Sequence, residues 1–190
     1  QPKLFELVVQ VLAFAPKLAN TLARRPAAID AMVDPDFFSE IEITAERADM
    51  QRLVARAGGF EAAMDVVRRL HREQAFRVGV QVMSGTATAE CAGRAFADLA
   101  DLCIETLAPA ALAEAVRLGG DFAGDVAVVA LGKCGSREMS ATSDLDLMTL
   151  YRADDPAAAS EIKGWDGSTF YGRFTQRLIA ALSSPTAEGQ

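Results

Sequence analysis

The chain has 190 residues, 51% hydrophobic and 24% charged, with a formal net charge of −7. That is ordinary globular composition, enough for one good-sized domain or two small ones. The acidic balance argues against a general nucleic-acid binder, because phosphate contacts need clustered Lys and Arg.

In chain order, the first half reads as helix. Leu4, Leu7, Val8, Val11 and Leu12 recur at helical spacing, and Pro16 opens a second short helix holding Leu18 and Leu22. The stretch "RRPAAIDAMVDPD" adds a turn or two between Pro26 and Pro35. Thr44 is the expected N-cap of a helix running to Gly58 and Gly59. A long helix is predicted from Phe60 to Met83, ended by Ser84-Gly85. Within it "FRVGVQV" alternates as a half-buried strand would, but "FEAAMDVVRRLHREQ" runs into it without a breaker, which favours helix. His71, beside Arg68, Arg69 and Arg72, reads as part of a charged outer face. Another helix is predicted from Thr88 to Leu118, with Phe96, Leu99 and Cys103 on one stripe and Pro109 as a kink or split.

At Gly119-Gly120 the texture changes. "DVAVVAL", β-branched and bounded by glycines, predicts a strand, and a loop from Gly132 to Ser143 leads to a second strand predicted from Asp144 to Tyr151. "RADDPAAASEIKGWDG" predicts a polar, mobile loop, with Trp165 as a partner anchor or a loop plug. A last amphipathic helix is predicted from Ser168 to Leu182, stopped by Pro185, with Tyr171, Phe174, Leu178 and Leu182 on one face. The expected fold class is α+β and predominantly helical: a helical lead-in over 1–118 and a smaller αβ core over 119–190.

Other features exclude more than they assign. Nothing approaches the roughly eighteen consecutive apolar residues of a membrane span, so neither a membrane nor nucleic acid is expected as a partner. Leu4 to Phe14 lacks the basic flank and cleavage site of a signal peptide, and a start at Gln1 reads as a piece of a longer polypeptide. Cys91, Cys103 and Cys134 are odd in number and lack CxxC spacing. They read as buried thiols of a cytoplasmic protein. A single histidine gives little support to a Ser-His or Cys-His hydrolase.

The chemistry concentrates in "ALGKCGSREMSATSDLDLMTLY", residues 130–151. On a strand Asp144 and Asp146 share one face while Leu145 and Leu147 take the other. Two adjacent carboxylates repel unless a cation sits between them, and hard oxygen ligands suit Mg²⁺, which fills its shell with water and substrate phosphate. Upstream, Gly135-Ser136 offers backbone N–H groups and a hydroxyl to an anion, and Lys133 offers charge. Alone, Gly-Ser is an ordinary turn, Asp-x-Asp a solvated strand end, and Lys133 a surface charge. Together, in this order, they form a metal platform beside a phosphate-binding loop. The string is not a Walker A loop, since the upstream glycine position is Ala127 and Cys134 follows Lys133; nor is it an EF-hand.

A strand, a Gly-Ser turn and then Asp-hydrophobic-Asp resembles the active-site signature of the DNA polymerase β-like nucleotidyltransferases. The fuller string resembles the glutamine synthetase adenylyltransferase family, bifunctional adenylylating and deadenylylating enzymes. Gly132, Lys133, Gly135, Glu138, Met139, Ser143, Asp144, Asp146 and Leu147 match its motif, and Cys134 departs from the usual leucine. The leading "LFELVVQVLAFAPKLANTLARRPAAIDAMVDPD" and the later "FYGRFTQRLIAALSSPTAEG" are also similar to that family, nearer its adenylylating C-terminal domain. The resemblance implies that Asp144 and Asp146 are catalytic and hold Mg²⁺. It also implies that Gly135, Ser136 and Lys133 hold the phosphates of ATP. The implied acceptor is a tyrosine of glutamine synthetase, and a PII-type signalling protein is an implied partner. A third carboxylate is implied just past Gln190, so the core is expected to be truncated and this piece alone inactive. A nucleotidyltransferase with another acceptor, or an inactive regulatory module, remains the alternative.

Overall fold

The computed structural model of the chain describes residues 2–183. Its elements in order are α1 (Pro2–Phe14), α2 (Pro16–Arg24), α3 (Ala28–Ala31), a 3₁₀ turn (Pro35–Phe38), α4 (Ile43–Ala55), α5 (Phe60–Ser84) and α6 (Ala89–Gly119). Then follow β1 (Gly124–Ala130), the one-turn α7 (Gly132–Gly135), β2 (Leu147–Ala153) and α8 (Gly167–Ser183). The architecture is α+β and predominantly helical, with one two-stranded antiparallel sheet among the described residues. Among the described residues no single helix is long and apolar enough to cross a membrane; α1 and α2 meet at a bend of 115°.

Two long helices organise the molecule. α5 continues without a break through "FRVGVQV", closed by Gly85 in the left-handed conformation, φ 75°. There Phe76, Val78 and Val80 are all buried, but they divide between two apolar clusters. Such division is how an alternating pattern fits a helix that has neighbours on two sides. α6 is capped by Thr88, whose hydroxyl accepts from the Cys91 N–H at 3.2 Å, and runs unbroken for 31 residues with Pro109 inside it, so the proline does not split it.

The main core lies where α4, α5, α6 and α8 meet the inner face of the sheet. Met50, Val67, Leu102, Leu107, Phe122, Phe170, Phe174 and Leu178 form it, with Val126 and Val128 packed on from β1. Each such side chain contributes about 1.5–3 kcal/mol on burial. The texture change near residue 119 therefore leaves one apolar core shared by residues on both sides of it. A second cluster joins Val78, Phe96, Ala97 and Leu99 to Cys134 and Met139 of the loop after β1.

α8 is placed from both ends. Asp166 accepts from the Thr169 N–H at 2.7 Å and the Ser168 hydroxyl at 3.0 Å, capping the helix, which holds the Asp166 carboxyl below its usual range. At the other end Arg68 donates to the carbonyls of Ala180 (3.4 Å) and Ala181 (2.6 Å). Pro185, the expected stop, and Glu188 lie outside the described residues.

The structure corrects several local expectations. Thr44 lies inside α4 and is not its cap; Glu42 holds the cap position with no side-chain hydrogen bond. Arg68 is buried, 7% exposed, because its guanidinium serves the carbonyl end of α8; His71 is exposed. Cys103 and Cys134 are buried but Cys91 is exposed. The stretch after β2 is fastened, since Glu161, Ile162 and Lys163 donate N–H groups to Asp121 and Gly119 carbonyls. Trp165 plugs it against Gly119 with the Arg173 guanidinium 5.8 Å from its ring centre, as a loop plug would.

Candidate active site

β1 and β2 pair from Gly124↔Ala153 to Ala130↔Leu147. The ladder stops there because the β1 chain turns away at Gly132, φ 52°, into α7. Asp144, Leu145 and Asp146 thus precede β2 and do not lie within it, which corrects the predicted strand start. One hydrogen bond still anchors them: the Leu131 N–H donates to the Asp146 carbonyl at 2.8 Å. Extended alternation also persists, with Asp144 and Asp146 exposed and Leu145 packed against the second cluster. The carboxylates share the solvent side through this alternation.

Gly132 explains how closely the loop meets the carboxylates. A Cβ there would collide with the Asp146 carboxylate, and the positive φ already disfavours any side chain. Gly135 is constrained from the other direction, since a Cβ would lie 2.6 Å from the Ala130 carbonyl oxygen. Both glycines let α7 fold back tightly on the end of β1.

The structure brings Gly132, Lys133, Gly135 and Ser136 into one turn whose first residue, Gly132, lies against Asp146. The amides of Gly135 and Ser136 are used inside the turn, donating to the Leu131 and Gly132 carbonyls, each at 3.0 Å. What faces outward is the exposed Lys133 and the Ser136 hydroxyl, which donates to Glu138 at 3.2 Å. Cys134 points the other way; burial, with the Asp101 carboxylate adding, pushes its thiol up and keeps it protonated. Just before the carboxylates, the Ser143 hydroxyl accepts from the Ser140 N–H at 2.9 Å, closing a tight turn that aims the chain toward Asp144.

Among the described residues, neither Asp144 nor Asp146 pairs with a cationic side chain, and no group of three or more His, Cys, Asp or Glu side chains could hold a metal ion. Two exposed, unneutralised carboxylates fit Mg²⁺, which takes one or two protein carboxylates and completes its shell with water and substrate phosphates. They do not amount to a closed, all-protein cage.

Sequence reasoning left Arg137 and its partners out of the site. Arg137 pairs with Asp98 and with Asp101 (3.0 Å) on α6. The i, i+3 spacing of those aspartates was a usable signal for one face of a helix. Nothing local indicated that a loop almost forty residues later would meet them.

Residues 5–190 match the family described as glutamate-ammonia ligase adenylyltransferase. The chain is 62% identical over 190 residues to a bifunctional glutamine synthetase adenylyltransferase/adenylyl-removing enzyme of Caulobacter vibrioides. Proteins with the same description from Agrobacterium fabrum and Brucella suis are 42% and 41% identical over 193 and 191 residues. These alignments cover 99–100% of this chain but 19% of the length of each relative. With a family match over nearly its whole length, the chain belongs to the glutamate-ammonia ligase adenylyltransferases.

Proposed function

We propose that this chain carries the nucleotide- and metal-holding part of a protein adenylyltransferase. The reaction is attack by a tyrosine hydroxyl of glutamine synthetase on the α-phosphorus of ATP. The bond to the β-phosphate breaks, pyrophosphate leaves, and the tyrosine proton passes to a base. Phosphorolytic removal of AMP belongs to the same enzyme, under a PII-type signalling protein, in the cytoplasm. Neither nucleic acid nor membrane takes part.

The observation that carries this reading is the pair of exposed carboxylates, Asp144 and Asp146, the second of them lying against Gly132 at the start of the glycine-shaped loop that ends at Ser136. Asp144 and Asp146 would hold Mg²⁺, which when bound supplies positive charge to the phosphates and lowers the cost of the developing negative charge. Lys133 and the Ser136 hydroxyl orient the phosphates, while Gly132 and Gly135 keep the loop close enough to reach them. With two carboxylates available, a third acid from outside the described residues completes the site and helps deprotonate the acceptor.

The test is transfer of labelled AMP from ATP to glutamine synthetase, with and without Mg²⁺. It compares the full-length gene product containing this sequence with the 190-residue chain alone. The proposal predicts Mg²⁺-dependent labelling by the former and background labelling by the latter. Robust transfer by the chain alone would mean that an acid already present, such as Asp166 or Glu188, fills the third role. Absence of Mg²⁺-dependent transfer by the full-length protein would remove the assignment.

A further inference from the structure

The loop between α7 and Asp144 is held to α6 in three ways. Beneath it, Cys134 and Met139 are buried in the cluster that holds Phe96, Ala97 and Ala100. At backbone level, a Cβ on Gly93 would lie 3.4 Å from the Met139 carbonyl oxygen and 3.5 Å from the Glu138 Cα, so loop and helix touch directly. Above, the Arg137 guanidinium forks between Asp98 and Asp101, one helical turn apart.

Arg137 also has the one positive φ, 61°, of any non-glycine residue described. An arginine is an unfavourable choice for that conformation, and its neighbours compensate by engaging both ends of its fork. Two carboxylates spaced i, i+3 repel one another without a cation between them. A lysine, with a single ammonium on a flexible stem, serves two acceptors less well than a planar fork.

We infer that Arg137 is a positioning residue: clamped to Asp98 and Asp101, it fixes the loop that carries Ser136 and Glu138 and delivers the chain to Asp144 and Asp146. The inference rests on the site reading given under Proposed function and assigns α6 a part in setting the site's geometry. Arg137 acts through the loop and needs no contact with the nucleotide. A substrate-contacting arginine would behave differently: removing Asp98 and Asp101 would free it, and transfer would be kept or raised.

The experiment is AMP transfer to glutamine synthetase by the full-length gene product carrying Arg137→Gln, Arg137→Lys, Asp98→Asn with Asp101→Asn, or all three neutral substitutions together. Asp146→Asn is run in parallel. Arg137→Gln is expected to lower kcat/KM about 10- to 100-fold, the scale of a misplacement near 1 Å. Arg137→Lys should recover part of that loss. The Asp98→Asn, Asp101→Asn pair should reproduce it, and the triple variant should be no worse than either, because both break the same clamp. Tm should move by no more than about 4 °C, since the ion pairs are half-exposed. Normal transfer by the Asp98→Asn, Asp101→Asn protein, or additive losses in the triple variant, would overturn the inference. Full activity in Asp146→Asn would instead overturn the site reading, and the inference with it.

Discussion

Gly132 and Asp146 show how much of the site is set by single residues. The glycine's absent side chain is what allows the carboxylate to lie over the start of α7. Gly132→Ala adds a methyl where the Asp146 carboxylate sits and penalises a φ of 52°. For the full-length gene product carrying Gly132→Ala we predict a fall of about 10- to 100-fold in AMP transfer, with secondary structure unchanged by circular dichroism, since neither group supports the core. Transfer within twofold of wild type would show that the carboxylate need not be held there. As candidates, Gly135, Ser136, Asp144 and Asp146 were legible in the sequence by residue type and spacing, although the close approach of Gly132 to Asp146 was not. Arg137 was not, because its partners Asp98 and Asp101 lie on a distant stretch and only the packing of the loop on α6 brings them together.

At the scale of elements, helices were legible and strand ends were not. Some helix limits follow from local signals, as at Thr88 before α6 and Gly85 after α5, while the expected cap Thr44 lies inside α4. The start of β2 depends on where its partner leaves the sheet, and Gly132 takes β1 away after Ala130. α8 supplies a prediction of its own. Asp166 caps it, and the hydrogen bonds from Thr169 and Ser168 depress the carboxyl below its unfolded value near pH 4. The cap's charge-dependent stabilisation is therefore fully present above that value and fades as pH falls through the lower folded value. Asp166→Ala should lower Tm at pH 7 by a few degrees, and the difference from wild type should shrink on acidification toward pH 2. A difference independent of pH would assign the effect to something other than the ionised cap.

Across the whole molecule, the sheet that leads into and out of the candidate site packs on a core that the lead-in helices help to build. Leu107 of α6, 1% exposed, belongs to the cluster that includes Met50 of α4, Val67 of α5, Phe174 of α8 and Phe122 ahead of β1. Leu107→Ala should destabilise the chain by about 2–5 kcal/mol in urea unfolding, and probes before and after residue 119 should report the same midpoint. Two separated transitions would show that the lead-in and the sheet region fold independently.

The central claim is that Asp144 and Asp146 serve a metal-bound nucleotide and not the fold. Its most direct test is AMP transfer from labelled ATP to glutamine synthetase by the full-length gene product bearing Asp146→Asn, with its Tm and circular dichroism recorded alongside. The account predicts labelling at background with Tm and spectrum unchanged, because the side chain is exposed and supports nothing in the core. Near-normal labelling by a folded Asp146→Asn protein would contradict it.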